Sequence, residues 1–311
     1  MPIVAIVGAG LIGRAWAVVF ARSRFDVRVF DPDAGQRAAA PDLIRAGLDE
    51  LSVHGLLGDP DAAAARVTTA QSVAEAVGGV DLVQENGPEV VEVKRAVFAE
   101  LDRLSPPAAI LASSTSAIVA SQFTQELAGR ARCLVAHPVN PPHLVPIVEL
   151  CGAPWTSPET IERARRLYES VGQVPITVNQ EVEGFVLNRL QGALLAEAFR
   201  LVGEGVVSPQ DLDKTVKDGL GLRWSFMGPF ETIDLNAPGG MADYSARYTG
   251  FYRRLATDPA GPEVWDAPNV GRVLAAWGRA SAPEEVLARG RRRDRRLAAL
   301  QAHKRAQSDA T

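Results

Sequence analysis

Short runs of β-branched and apolar residues recur down the first half of the chain, separated by stretches in which apolar residues return every three or four positions. The first run, PIVAIV, leads into Gly8, Gly10 and Gly13. RAWAVVFARSR then has helical spacing, and DVRVFD reads as a second strand ending at Asp31. VDLVQE, AAILAS and RCLVAH repeat the strand pattern, with EVVEVKRAVFAELDRL and IVASQFTQELAG as helices between them. Such alternation predicts a parallel sheet with helices on both faces. The stretch DAGQRAAAPDLIRAGLDELSVHGLL reads as an extra helical excursion, a surface pair broken at Pro41, with His54 solvated or capping.

The pattern changes near Val182. Phe185, Val186, Leu190, Ala193, Leu194 and Ala198 keep helical spacing over several turns, and Gly203 and Gly205 end that helix. Ser208 and Pro209 have the residue types of an N-cap and first turn. Helix continues beyond, interrupted at the Pro-Gly-Gly run, with little strand signal after Thr177. The predicted fold class is α/β followed by all-α: a Rossmann-type parallel-sheet domain over residues 1–181 and a helical domain over 182–311.

Length and charge narrow the classes. A chain of 311 residues holds two domains with sizeable cores, and a net charge of −4 argues against a general nucleic-acid binder. The basic stretch RGRRRDRRLAALQAHKRA is therefore read as a solvated terminal helix. Cys133 and Cys151 form no disulfide framework and no metal-ligand spacing, so both are read as small core residues of a cytoplasmic protein with no metal. The chain carries no basic-then-apolar leader and no apolar run of membrane-spanning length, and no membrane association is expected.

The candidate chemistry sits at strand ends. In a parallel sheet ligands bind outside the carboxyl ends of the strands, where Asp31, Glu85, the SSTS run and His137 all fall. Gly8 suits a tight turn, Gly10 lets a pyrophosphate approach the backbone, and Gly13 lets helix and strand pack closely. The helix that follows offers free N–H groups and a positive dipole end to phosphates. Asp31, a little over twenty residues after Gly8, suits a ribose 2′-hydroxyl and repels a 2′-phosphate, which favours NAD over NADP.

VGAGLIGRAWA, SSTS, AHPVNPP, VEL, EVEGFVLNRLQ and GLGLRWSFMGPFETIDLNAPGG together resemble the 3-hydroxyacyl-CoA dehydrogenase superfamily, nearest its lambda-crystallin branch of L-gulonate 3-dehydrogenases. The resemblance runs through nearly the whole chain and is weakest after Asp31 and in the last fifty or so residues. It implies His137 as the catalytic histidine and Glu149 as its paired acid. It implies Ser116 and Asn188 as the groups that position the substrate oxygen. Leu11, Ile12, Asp31, Glu89 and Lys94 match cofactor-site positions, and a homodimer through the helical domain is implied as well.

Oxidising a secondary alcohol removes a hydride and a proton. Imidazole can take the proton near neutral pH, and a carboxylate paired with the ring fixes its tautomer and stabilises the imidazolium. His143 is left as a loop residue near the pocket. The chain departs from the acyl-CoA enzymes at GLRW: Arg223 suits a substrate carboxylate, with a subunit or surface ion pair as the alternative. The expected function is NAD-dependent oxidation of a small 3-hydroxy carboxylate, L-gulonate first. The alternatives are a 3-hydroxyacyl-CoA, L-carnitine, or a non-enzymatic NAD-binding structural protein. A quaternary ammonium would need an aromatic or anionic cage; Trp224, Phe226 and Tyr244 are instead expected to pack in the core.

Overall fold

The computed structural model describes residues 1–278 and 282–307. It divides into two compact units, Met1–Asn188 together with the chain from Pro283, and Arg189–Ala282. In the first unit β1 (Ile3–Val7), β2 (Asp26–Phe30), β3 (Val67–Thr69), β4 (Leu82–Glu85), β5 (Ile110–Ser113), β6 (Cys133–Pro138), β7 (Ile147–Gly152) and β8 (Val174–Val178) form one sheet of order β3-β2-β1-β4-β5-β6-β7-β8. The period of two along β1 divides its side chains between faces. Val4 and Ile6 join a core with Trp16, Phe20, Leu48 and Tyr168. Ala5 and Val7 join a second core with Phe98, Leu101, Phe123, Cys133 and Cys151.

One pairing departs from the expected parallel sheet. β6 and β7 run antiparallel, and every other neighbour is parallel. A parallel return needs a crossover of about a dozen residues or more. The Pro-rich segment between Pro138 and Ile147 is too short for one, so β7 doubles back beside β6. In that register His137 lies directly opposite Glu149. β8 is a further strand that the alternation did not reveal; it follows a helix and pairs parallel to β7.

The helices of this unit are α1 (Leu11–Arg22), α2 (Ala34–Val53), α3 (Pro60–Ala64), α4 (Val73–Val77), α5 (Val91–Leu104), α6 (Ser121–Thr124) and α7 (Pro158–Ser170). Pro41 does not break α2 into a pair. It removes one backbone donor, but Ala40, Ile44, Leu48 and Leu51 are buried along one face and keep the helix continuous.

The second unit comprises the body of α8 (Leu187–Gly203), α9 (Pro209–Lys214), a π-helical turn over 215–220, α10 (Gly221–Trp224), α11 (Pro229–Asp234), α12 (Gly240–Leu255) and α13 (Ala267–Trp277). Ser208 caps α9 by accepting from Asp211 N at 3.1 Å, and Gly205 follows α8 at φ +77°. α8 starts at Leu187, two residues later than the apolar spacing suggested, because Phe185 is left-handed at φ +47°. Trp224 and Phe226 are not core residues; they are 41% and 69% exposed, and Tyr244 is only partly buried.

The boundary 182–311 also changes. α14 (Pro283–Ala306) belongs with the first unit. Ala298 is fully buried in the core that holds Trp16 and Leu48, Leu297 and Ala302 pack against that core, and Arg305 donates to the Leu56 carbonyl. A narrow stripe of small and apolar residues thus docks a helix whose other faces are strongly basic. Among the described residues no helix is long and apolar enough to cross a membrane, and no cluster of His, Cys, Asp and Glu could hold a metal.

Candidate active site

The glycine loop is shaped by what a side chain would strike. Gly8 has φ +100°, and a Cβ there would lie 2.8 Å from the Asn86 carbonyl oxygen. At Gly13 it would lie 1.8 Å from the Gly8 carbonyl oxygen, so loop and helix close onto each other. Gly10 differs: apart from its own chain neighbours, no protein atom lies within 4 Å of its Cβ position. It is the N-cap of α1, without a side-chain cap and without an acidic residue in the first turn. The amides that begin α1 and their dipole are therefore left for an anion. Leu11 is exposed beside this opening, and Ile12 packs partly against the core. Asp31 directly follows β2 and closes the loop, accepting from Ala9 N at 2.6 Å through Oδ2 and from Asp33 N at 2.9 Å through Oδ1. These residues fit a dinucleotide, with its pyrophosphate on the first turn of α1 and a ribose hydroxyl on Asp31.

Beyond β4 and β5 the rim is a charged lattice. Lys94 donates to both oxygens of Glu85, at 2.9 and 3.1 Å, and Ser113 Oγ donates to the same carboxylate at 2.6 Å. Both members of this ion pair are only 1% exposed. The Lys94 ammonium is thus held beneath the site by Glu85, where the resemblance implied a cofactor contact. Glu89 stands in the open and accepts from Ser116 N at 2.9 Å, Ala117 N at 3.0 Å and Thr115 Oγ1. Burial pushes its carboxyl up, but the bonds from Thr115, Ala117 and Ser116 and the Lys94 charge outweigh this and hold it below the ordinary value.

The cross-strand pair is the centre of the site. His137 Nδ1 and Glu149 Oε2 are 2.7 Å apart, and both side chains are buried. Glu149 Oε1 accepts from Val186 N and Leu187 N, each at 2.9 Å, where α8 begins. Burial raises this carboxyl too. The bond to His137 and the amides of Leu187 and Val186 lower it by more, so it titrates below the ordinary value. An ionised Glu149 can only accept, so the proton between the two groups belongs on Nδ1. Nε2 is then the bare, basic nitrogen, and no described residue bonds to it.

Asn188 extends the arrangement. Its Nδ2 donates to the Ser116 carbonyl at 2.8 Å. One continuous path therefore runs from His137 through Glu149, the amides of Val186 and Leu187, Asn188 and Ser116 to Glu89. Residues from β6, β7, the start of α8 and the rim after β5 are locked in a single network.

Comparison with known sequences decides the family. The pattern described as 3-hydroxyacyl-CoA dehydrogenase, NAD binding domain, matches residues 3–182, and the one described as 3-hydroxyacyl-CoA dehydrogenase, C-terminal domain, matches residues 184–276. The chain belongs to the 3-hydroxyacyl-CoA dehydrogenase family. It is an NAD-dependent dehydrogenase of secondary alcohols. Lambda-crystallin of Oryctolagus cuniculus is 42% identical over 305 residues, covering 96% of this chain and 95% of the relative. L-carnitine dehydrogenase of Streptomyces coelicolor is 37% identical over 292 residues, covering 90% and 89%. Among solved structures, 5-formyl-3-hydroxy-2-methylpyridine 4-carboxylic acid 5-dehydrogenase, an NAD+-dependent dismutase, superposes with TM-score 0.79 at 27% identity, covering 97% of each chain.

Within this family member, Arg223 lies on α10 in the second unit. It is exposed, forms no ion pair with a described carboxylate, and its charge reaches Tyr244. The surface ion pair considered for it is absent among the described residues. Three parts of the network were not foreseen. Thr115 steadies Glu89, and the Val186 and Leu187 amides hold Glu149. Backbone donors leave no residue-type signal; the nearest hint was a glycine, Gly184, just before Phe185. His143 does not join the network. Burial, then the charges of Arg22 and Arg293, push its imidazole down to about 4, and it sits neutral with Nδ1 unpaired. Cys133 and Cys151 are buried, and burial pushes both thiols up to about 12, consistent with inert core residues.

Proposed function

We propose that this dehydrogenase oxidises the 3-hydroxyl of a small free hydroxy carboxylate to the 3-keto acid, with L-gulonate as first choice. The observation that carries the reading is the His137–Glu149 contact of 2.7 Å, which leaves Nε2 bare. His137 Nε2 takes the hydroxyl proton while the C3–H bond breaks and the carbonyl forms. Bound NAD supplies the acceptor for the hydride. Glu149 stabilises the imidazolium without itself taking a proton. Ser116 and Asn188 orient the substrate oxygen, and in reduction the imidazolium returns the proton.

Two relatives support a free acid, since L-carnitine and the pyridine carboxylic acid both carry an unesterified carboxylate. Arg223, exposed and without an ion pair among the described residues, is the proposed partner for that carboxylate. A CoA thioester is the second reading, favoured by the relative named 3-hydroxyacyl-CoA dehydrogenase from Gibberella moniliformis, 41% identical over 245 residues. L-carnitine is the third. A purely structural role is disfavoured because His137, Glu149, Ser116 and Asn188 are all present and networked.

The same proposal includes a homodimer through the helical unit, supported by its exposed Leu190, Leu222, Phe230 and Leu235. A cytoplasmic location rests on the two free, buried cysteines. Purified protein with NAD should form NADH fastest with L-gulonate, ahead of L-3-hydroxybutyrate and L-carnitine. L-carnitine as the best of the three would move the substrate assignment, and no turnover of any free acid would overturn it.

A further inference from the structure

We propose that Phe185 is a positioning residue for the catalytic pair, acting through Glu149. The inference rests on the dyad reading above and concerns a residue with no polar atom in its side chain. Phe185 sits at φ +47°, directly after Gly184 at φ +75°. A bulky side chain in the left-handed region is a conformational outlier, and such outliers persist only where the surroundings hold them.

The local geometry shows what the outlier achieves. Two successive left-handed residues turn the chain so that the next two amides, Val186 and Leu187, point at one atom, Glu149 Oε1, both at 2.9 Å. Consecutive N–H groups of this kind make a small anion-binding concavity. Glycine would reach the same backbone angle freely, but it would not stay there. Phe185 is held because its ring is completely buried in the core that contains Phe98 and Phe123. The ring also lies 5.7 Å from the His137 imidazole, centroid to centroid, at an interplanar angle of 38°. One side chain therefore touches the base of the dyad while its own backbone fixes the acid. The residue after the two amides is Asn188, whose Nδ2 is anchored to the Ser116 carbonyl. Four consecutive residues, 185–188, thus each make one contact that sets the site.

The test is a double-mutant cycle with a spectroscopic arm. Wild type, Phe185→Leu, Glu149→Gln and the double variant are assayed with NAD and L-gulonate, and NADH binding is measured by fluorescence. Phe185→Leu should lower kcat about tenfold, short of the roughly hundredfold that a misplacement of about 1 Å costs, with NADH affinity unchanged. In the Glu149→Gln background the same change should cost less than about twofold, because the group it acts through has gone. Equal factors in both backgrounds would make Phe185 an ordinary packing residue and overturn the proposal. Glu149→Gln at wild-type rate would instead remove the dyad reading itself, a separate and recognisable result. The second arm needs no substrate. In protein carrying 15N-histidine, His137 should show a single tautomer protonated on Nδ1 in wild type and a mixture in Phe185→Leu. A wild-type His137 signal in that variant also overturns the proposal. Phe185→Met, which refills the core with a flexible side chain, serves in both arms if Phe185→Leu does not fold.

Discussion

The two units solve the problem of burial in opposite ways. In the first, both faces of the sheet are covered, and even ions are buried, as Lys94 and Glu85 show at 1% exposure each. In the second, few side chains are buried, Val202, Ala237 and Val264 among them, while Phe230 is 70% and Leu235 is 67% exposed. A buried ion pair demands fixed geometry, because an unmatched charge in a core costs several kcal/mol. Large exposed apolar groups mark candidate contact surfaces. The proposed proton chemistry draws on residues of the first unit, and the proposed carboxylate contact and association draw on residues of the second. Each substitution below should move one of these properties and leave the other alone.

The largest effect is expected at the base. His137→Gln should lower kcat by about 10²-fold or more while NAD affinity and oligomeric state stay as in wild type, read by steady-state kinetics and sedimentation. In the second unit, Arg223→Met should raise KM for the best hydroxy acid by roughly ten- to two-hundredfold, the equivalent of about 1.5–3 kcal/mol for a lost charge-assisted bond. Arg223→Lys should recover part of this, because an ammonium cannot make the bidentate fork. An unchanged KM would leave Arg223 without a role in substrate binding. Association should respond on one side only. Phe230→Asp should weaken the dimer at least about tenfold in ultracentrifugation, since burying a Phe contributes about 1.5–3 kcal/mol. Val53→Asp, on an equally open site of the first unit at 79% exposure, should not. Equal responses would erase the contrast between the units.

Two smaller effects sharpen the account of the first unit. Asp31→Ala should narrow the preference for NAD over NADP by about tenfold in kcat/KM, because the 2′-phosphate no longer meets a carboxylate. His143 tests what burial without a partner costs. Its folded-state value is lowered by burial, then by Arg22 and Arg293, from 6.5 to about 4. Between these values the unfolded chain binds a proton that the folded chain refuses, so stability falls as pH drops from about 6.5 to about 4. The loss approaches about 2–3 kcal/mol by the lower limit. His143→Leu should remove that slope from urea unfolding measured at pH 7 and pH 4.5, and an unaltered slope would assign the acid loss elsewhere.

Legibility in the sequence followed the same division. The nucleotide-binding loop could be read because each glycine answers a separate steric demand, and Gly8, Gly10 and Gly13 behave differently in the structure as in the reading. His137 and Glu149 were legible as partners through the family resemblance carried by AHPVNPP and VEL, and spacing alone did not pair them. The antiparallel direction of β7 could have followed from that loop's length, but the alternation of strands and helices masked it. The burial of Lys94 was hidden because its partner, Glu85, lies on a different element. The Val186 and Leu187 amides were hidden because every residue but proline carries one. The return of α14 to the first unit was hidden by its arginines, which outnumber the Leu297, Ala298 and Ala302 stripe that docks it. Phe185 kept helical apolar spacing in the sequence and is left-handed in the fold. Val186, Leu190 and Leu194 share that spacing and are exposed, so the periodic pattern recorded neither the burial nor the backbone angle that sets Phe185 apart.

We propose that the His137–Glu149 pair oxidises a free hydroxy acid and that Arg223 recognises its carboxylate. The most direct measurement compares kcat/KM of the wild-type protein, with NAD, for L-3-hydroxybutyrate and for its CoA thioester, two substrates with the same reacting carbon. The free acid is expected to be the better substrate, with the preference lost in Arg223→Met. Turnover confined to the thioester would contradict it.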